Sequence, residues 1–470
     1  MHHSSSLDQL DSALESAWAV FLSGALQSLD VRRRLLEGLA DALDAKASSL
    51  IPIADQETHL GTARLTGEVA RTSFQLRLLA QVSAERSQSS PLWVDSVEGP
   101  PPAGHPPLLR DFEPLGPVGM FSASNFPFAF SVLGGDTASA LAAGCPVVVK
   151  GHPGHPRLSA ATAELARGVA REQQLPEDVL QLVMADGHEL GVALCQHPLT
   201  AAVAFTGSVQ GGVALWKACQ QRPRPIPFFG ELGSVNPIVV LESALASKGP
   251  ALAEALSTSI TMGCGQFCTS PGIVLLPEGA LGNAFRSDLA QKLSRASTHP
   301  MLNASMEQNF QKRVWAARQC DLSPLVEPKA GCQIFLAELS AAQFISQAAL
   351  HDEIFGSACL LVRVRGIDEI EQVLATVEGS LTCTLWGLEE DTEQNRRLLT
   401  AARRLAGRVL FSGVPTGVAV AAGMQHGGPF PSSTMPATTS VGPDALMRFL
   451  RPVCLQDPPQ WVRENVLQSL

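Results

Sequence analysis

Near its middle the chain carries two side chains suited to covalent chemistry. They are Glu231, in Phe229-Gly230-Glu231-Leu232-Gly233, and Cys268, in Gly263-Cys264-Gly265-Gln266-Phe267-Cys268. A thiolate is the strongest nucleophile among common side chains, but a free thiol of pKa about 8.5 needs a setting that favours the anion. Cys268 follows the helix-like run Ala251–Met262 and enters a Gly-rich turn, where backbone N–H groups can face a developing oxyanion. Glu231 follows the apolar run Ile226–Phe229, so it is expected to project from a strand end into a cleft. There a carboxylate can activate a water that releases an acyl group from sulfur. A third candidate, Asn125 in Ser124-Asn125-Phe126-Pro127, can donate its amide to an oxygen becoming an alkoxide; the same position suits a helix N-cap. Each signal is weak alone, since a lone cysteine is more often a small buried hydrophobe.

The elements that must hold these residues read as alternating strands and helices. Strands are predicted at Val118–Ser122, Pro146–Lys150, Val179–Met184, Ala201–Thr206 and Ile226–Phe229, with helices at Phe128–Ala143, Leu158–Arg171, Glu189–Cys195 and Val209–Cys219. A second series has strands near Ile238–Leu241, Ile273–Leu276, Cys359–Val364, Leu381–Trp386 and Val409–Phe411. Its helices lie near Ala280–Arg295, Gln308–Arg318, Ile367–Val377 and Glu389–Ala402. This alternation predicts an α/β fold of two doubly wound halves, joined where Glu231 sits, with ligands at strand C-terminal ends. Residues 7–87 read as helices, one starting with Asp30 as N-cap and ending before Pro52. Ser89–Pro117, rich in Pro and Gly, reads as exposed strands and turns, and Arg451–Leu455 as an edge strand.

Composition narrows the class. The chain has 470 residues, 45% hydrophobic and 17% charged, which is the profile of a globular enzyme with a large core. A net charge of −10 argues against nucleic acid or an anionic membrane as partner. Ten cysteines without paired spacing suit reduced thiols in a cytoplasmic setting, and no finger-like Cys/His pairing implies a metal. The apolar stretch Phe126–Val149 is broken by Pro127, Gly134, Gly135, Asp136, Gly144 and Pro146, so it does not read as a membrane span. The absence of tyrosine excludes reductases that use a tyrosine general acid.

Glu231-Leu232-Gly233-Ser234-Val235-Asn236-Pro237 and Gly265-Gln266-Phe267-Cys268, in this order, resemble the glutamate and cysteine motifs of the aldehyde dehydrogenase superfamily. The resemblance extends through Asn125-Phe126-Pro127, through Phe205-Thr206-Gly207-Ser208 with Gly212, and through Glu353-Ile354-Phe355-Gly356, where Ser357 replaces the usual proline. It implies Cys268 as nucleophile, Glu231 as hydrolytic base and Asn125 in the oxyanion hole. It places a cofactor against Phe205, Thr206, Gly207, Ser208, Gly212, Leu232, Gly233, Glu353 and Phe355. It further implies that residues 1–88 and 118–232 bind the dinucleotide, that 233–445 form the catalytic domain, and that 89–117 and 446–470 bridge subunits of a homodimer or homotetramer.

Val149-Lys150-Gly151-His152-Pro153 departs from the common family pattern, which places a ribose-reading glutamate where Pro153 stands. A 2′-phosphate could then be held by Lys150 with help from His152, His155 or Arg157, which favours NADP, with NAD still usable. His426-Gly427-Gly428-Pro429 is expected to line the substrate mouth. Together with Lys150-Gly151-His152-Pro153 it resembles the branch of NADP-linked 2-oxoglutarate semialdehyde dehydrogenases and fatty aldehyde dehydrogenases. The apolar, Phe-rich start of the Phe128–Ala143 segment suits a medium-chain aldehyde as well, and its one charge is Asp136. A CoA-acylating dehydrogenase does not need Glu231; a cysteine hydrolase and a silent scaffold of this fold are alternatives of other classes.

Overall fold

The computed structural model describes residues 4–185, 187–329 and 331–468. It opens with helices α1 (Leu7–Leu22), α2 (Leu29–Thr58) and α3 (Thr62–Glu85), followed by strands β1 (Leu92–Val94) and β2 (Leu108–Pro114). From β3 (Val118–Phe121) the elements alternate: α4 (Gly135–Ala143), β4 (Val147–Gly151), α5 (Pro156–Glu172), β5 (Leu180–Met184), α6 (Glu189–Gln196), β6 (Ala202–Thr206), α7 (Val209–Gln220) and β7 (Phe228–Glu231). The second series runs β8 (Ile238–Val240), α8 (Glu242–Thr261), β9 (Ile273–Pro277), α9 (Ala280–Arg295), α10 (Ala304–Arg318), β10 (Ser323–Val326) and β11 (Ile334–Ser340). It continues through α11 (Ala341–Ser346), β12 (Ser357–Val364), α12 (Ile367–Thr376), β13 (Ser380–Trp386), α13 (Glu393–Leu405) and β14 (Ala406–Leu410). Last come β15 (Leu450–Gln456) and α14 (Gln460–Gln468).

Two parallel sheets carry the architecture. One has strand order β5-β4-β3-β6-β7, all parallel. The other has order β10-β11-β12-β9-β8-β13-β14 and is parallel except for β10, which runs against β11. Strand order reverses between β3 and β6, and the crevice at such a point is where doubly wound sheets bind ligands. A small antiparallel sheet, β1-β2-β15, joins the Pro-rich excursion to the C-terminal strand of the same chain. No helix among the described residues is long and apolar enough to cross a membrane.

Three expectations are corrected. First, α2 starts after Ser28 and runs through Pro52. Leu50, Ile51 and Ala54 around that proline share one buried cluster with Leu65, Val69 and Phe128, and burying such side chains offsets the roughly 3 kcal/mol an internal proline costs. Second, the helix expected from Phe128 begins only at Gly135. Buried Glu68 of α3 accepts the N–H groups of Phe128 (2.8 Å) and Ala129 (3.0 Å), while Ala123 N–H returns to Phe130 O, which pins this stretch as a turn. Third, β10 and β11 were not expected, although Ile334-Phe335-Leu336-Ala337 is a continuous buried run of the kind a parallel strand shows.

A further segment ties the sheets together. Residues 430–434 lie along β7, with Leu232 N–H on Ser432 O (2.9 Å) and Thr434 N–H on Gly230 O (3.1 Å). At their other end Gly379, just before β13, donates to Phe430 O (3.2 Å). The strap therefore pairs with both sheets.

Candidate active site

Cys268 sits in a loop with little freedom to move. Gly263 and Cys264 both adopt left-handed φ values, and a Cβ on Gly265 would come within 2.2 Å of the Gly356 backbone, so glycine is required at this approach. Gln266 is fully buried, its side chain bonded to Gly263 O (3.1 Å) and Leu302 N–H (3.1 Å). Its backbone oxygen accepts Asn125 Nδ2 at 3.0 Å, so the Asn125 amide is bonded to the cysteine loop rather than capping a helix. An amide nitrogen carries a second N–H that can serve another acceptor.

Asn236, buried and at φ 53, holds the loop from below. Its Nδ2 donates to Cys268 O (2.8 Å), Ser270 O (2.9 Å) and Ser234 O (3.2 Å), while its Oδ1 accepts from Ser234 Oγ (2.7 Å) and Thr382 Oγ1 (2.9 Å). Thr382 lies on β13, so one amide links the cysteine loop to the seven-stranded sheet.

Glu231 ends β7 and is buried. Its Oε2 accepts from Ser440 Oγ, and its Oε1 lies 2.8 Å from His426 Nε2. That second contact is close but poorly aligned for a hydrogen bond, so Oε1 retains a lone pair for another donor such as water. His426, with Ser440 and the burial that opposes them, holds Glu231 below its usual carboxylate range on balance. The same His426 Nε2 lies 3.7 Å from Cys268 Sγ. Burial, with the charges of Glu231 and Glu353, pushes the Cys268 thiol well above its ordinary value, so the resting sulfur holds its proton and needs a base.

His426, in the segment expected to line the substrate mouth, is buried beside Glu231 and Cys268, a placement set by the loop's return and without local sequence signal. Glu231, Cys268 and His426 bring three ligand-type atoms within 4.8 Å of one another, a grouping that Cys/His spacing could not reveal. One ring nitrogen faces both partners. A Cys–His–carboxylate hydrolase uses two different ring nitrogens for nucleophile and carboxylate, so this is not that relay.

The remaining candidates gather at strand C-terminal ends. Thr206 closes β6, and Ser208 caps α7 by accepting Gly211 N–H (3.2 Å). A Cβ on Gly212 would meet Leu232 at 2.2 Å, so this glycine lets the helix close on the strand end beside Gly233. A Cβ on Gly233 would meet Glu353 at 2.8 Å; that carboxyl accepts Ser234 N–H, and burial pushes it up to about 8. Phe355 is half-buried in the same loop. Phe205 packs edge-on to Phe121 (5.8 Å) and against Phe228 (6.0 Å), in the apolar layer under the sheet. Lys150 Nζ donates to Ala185 O (3.0 Å).

Two expected cations are corrected. His155 is fully buried, its ring nitrogens taken by Ala123 O (2.9 Å) and Ser159 Oγ (3.1 Å). Burial, with the neighbouring His155 and Lys150, pushes His152 down to about 3, so at neutral pH it offers a hydrogen bond and no charge. Arg157 is exposed and bonded to Gln56 (3.1 Å). A helix N-terminus of exposed Gly207-Ser208, an ammonium at the end of β4 and a carboxyl beside Gly233 form a donor set that fits a dinucleotide.

Two doubly wound sheets that meet over a thiol and a buried carboxylate define an oxidoreductase class that works through sulfur. More narrowly, the chain belongs to the aldehyde dehydrogenase family, whose model matches residues 2–451. It is 42% identical over 472 residues to alpha-ketoglutaric semialdehyde dehydrogenase 2 of Azospirillum brasilense, covering 98% of this chain and 89% of the relative. It is 36% identical over 471 residues to alpha-ketoglutaric semialdehyde dehydrogenase of Acinetobacter baylyi, again covering 98% and 89%. In fold it matches aldehyde dehydrogenase 21 of Physcomitrella patens with a TM-score of 0.82, at 19% identity over 97% of this chain and 92% of that one. Members of the family oxidise aldehydes with NAD(P).

Proposed function

We propose that this enzyme oxidises 2-oxoglutarate semialdehyde (2,5-dioxopentanoate) to 2-oxoglutarate, with NADP as the preferred cofactor. The substrate reading rests on the two relatives, whose printed names specify that semialdehyde. The observation that carries the chemistry is Glu231 and Cys268 held around one imidazole at 2.8 and 3.7 Å. His426 or Glu231 takes the thiol proton; sulfur then adds to the aldehyde carbon and the carbonyl electron pair moves onto oxygen, which Asn125 Nδ2–H and the Cys268 N–H receive. A nicotinamide bound here would supply the hydride acceptor that lets the sulfur adduct go on to a thioester. Glu231, any proton taken from the thiol having first passed to solvent, then removes a proton from water through Oε1; the water oxygen attacks the thioester carbonyl, the C–S bond breaks and Cys268 leaves as thiolate.

Thr206, Gly207, Ser208 and Gly212 would receive the pyrophosphate, with Leu232 and Gly233 beside the nicotinamide. Glu353 would hold the ribose, with Phe355 next to it, and Lys150 with neutral His152 would hold the 2′-phosphate. Pro153, exposed on the loop after β4, puts no carboxylate there to repel that phosphate. The five-stranded sheet would thus serve the cofactor and the seven-stranded sheet the thiol. The outer edges of β1 and β15 would bridge subunits of a homodimer or homotetramer.

Rapid mixing tests the division of roles. Cys268→Ala should show no oxidation, and Glu231→Gln should give one burst of NADPH and then stall. Steady turnover by the Glu231 variant would reassign the hydrolytic base.

A further inference from the structure

One face of α3 looks along its length into the aromatic wall behind Cys268. Arg64, Glu68, Arg71 and Gln75 follow one another by one helical turn and so form a single stripe. Each contributes at least one buried polar atom without a hydrogen-bond partner among the described residues: Arg64 Nη1, Glu68 Oε2, both Nη atoms of Arg71 and Gln75 Nε2. Buried polar groups are normally satisfied, so a run of them on one face calls for a partner.

The members differ in what they already hold. Arg64 donates to Asn125 O (2.6 Å) and lies over the rings of Phe126 (5.0 Å) and Phe267 (4.5 Å). Glu68 uses its Oε1 on the turn at Phe128 and Ala129. Arg71, by contrast, has no partner for either terminal nitrogen; its guanidinium lies 5.4 Å from the centroid of Phe130. Phe130 meets Phe126 edge-on at 5.3 Å, Phe126 meets Phe267 at 5.2 Å, and Phe267 precedes Cys268. The free fork thus stands at one end of an aromatic wall whose other end adjoins the nucleophile. Along the stripe two guanidinium groups face one carboxylate, leaving an excess positive charge in an apolar setting. An uncompensated buried cation is costly. Arg71 is also within electrostatic reach of Cys268 and Glu231. The other acid nearby, Asp136, is taken by Arg448 at 2.7 Å.

We propose that Arg71 anchors the substrate carboxylate farthest from the reacting aldehyde. This rests on the 2-oxo-acid semialdehyde reading. A planar fork with paired N–H donors matches a carboxylate in two-point contact, and the phenylalanine rings packed beside the anchor suit the methylene chain that separates the two ends of the substrate.

The test compares kcat/KM for 2-oxoglutarate semialdehyde, succinic semialdehyde and hexanal in the full-length wild type, Arg71→Met and Arg71→Lys. Arg71→Met should lower kcat/KM for the two charged aldehydes about 10- to 100-fold, chiefly through KM, and leave hexanal unchanged. Inhibition of hexanal oxidation by 2-oxoglutarate should weaken by a similar factor. Arg71→Lys should fall between, since it keeps the charge and loses the fork; it also serves should the methionine variant not fold. A loss shared equally by hexanal would reduce Arg71 to a structural residue, and an unchanged preference for the charged aldehydes would place the carboxylate elsewhere. Either outcome overturns the anchor while the substrate reading stands. A wild type that prefers hexanal overturns both.

Discussion

Asn236→Ala should damage the enzyme without touching any group that reacts. The substitution removes the donor that serves Cys268 O and Ser270 O, at 2.8 and 2.9 Å, and leaves both oxygens without that partner in a partly buried loop. A buried acceptor left without a partner costs about 1–3 kcal/mol. Two of them, together with about 1 kcal/mol for forcing alanine into the left-handed conformation at φ 53, give a loss on the order of 3–7 kcal/mol. Part of that loss will be relieved by movement of the loop, which displaces the sulfur; a displacement of about 1 Å typically costs on the order of 10²-fold in rate. Asn236→Gly separates the two effects, because it keeps the orphaned oxygens and removes the φ strain. The measurements are the melting temperature, kcat with any accepted aldehyde, and the rate of Cys268 alkylation by iodoacetamide. Both variants should melt several degrees low and lose most of kcat, with glycine the milder in stability. Full kcat and an unchanged melting temperature in Asn236→Ala would refute the claim that this amide positions the nucleophile.

Three further outcomes follow from the site. His426→Asn should slow alkylation of Cys268 and lower kcat, because the base nearest the thiol is gone; alkylation at the wild-type rate would leave proton removal to Glu231 alone. Glu353 has its folded pKa raised to about 8, so between roughly pH 4.5 and 8 the folded state keeps a proton that the unfolded state has released. Stability must therefore fall as pH rises through that window, and Glu353→Gln should flatten the drop in melting temperature between pH 5 and 8; an identical drop in the variant would show that Glu353 is not the group responsible. Pro153→Glu should shift the ratio of kcat/KM from NADP toward NAD by charge repulsion at the 2′-phosphate, and an unmoved ratio would place that phosphate away from the loop after β4.

What was legible in the sequence was what local pattern encodes. Continuous apolar runs such as Val147-Val148-Val149 mark buried parallel strands, and the small-residue turns around Gly207 and Gly265 mark close backbone approaches, so the doubly wound plan could be read residue by residue. The site was legible only where a motif holds its chemistry in one stretch. His426 and Ser440 meet Glu231 across 195 and 209 positions respectively, and a histidine before two glycines looks like any loop residue. Arg71 reads as a solvent-facing helix residue until the turn after Asn125 folds over it, and that turn itself reads as helix until Glu68 is known to take its N–H groups. Pro52 misleads for the opposite reason, because a strong local breaker is overruled by the burial of its neighbours.

The strap at residues 430–434 also sets a timetable for synthesis. Glu231 gains its Ser440 partner only when residues 209 positions later have been made. At roughly 5–20 residues per second that interval lasts about 10–40 s. Once Cys268 has been made, and until His426 follows 158 positions later, the nascent chain holds that thiol without the imidazole beside it. A ribosome-bound chain stopped before residue 426 should therefore lack the imidazole beside Cys268, and the Glu231–His426–Cys268 cluster can close only after residue 426 has emerged.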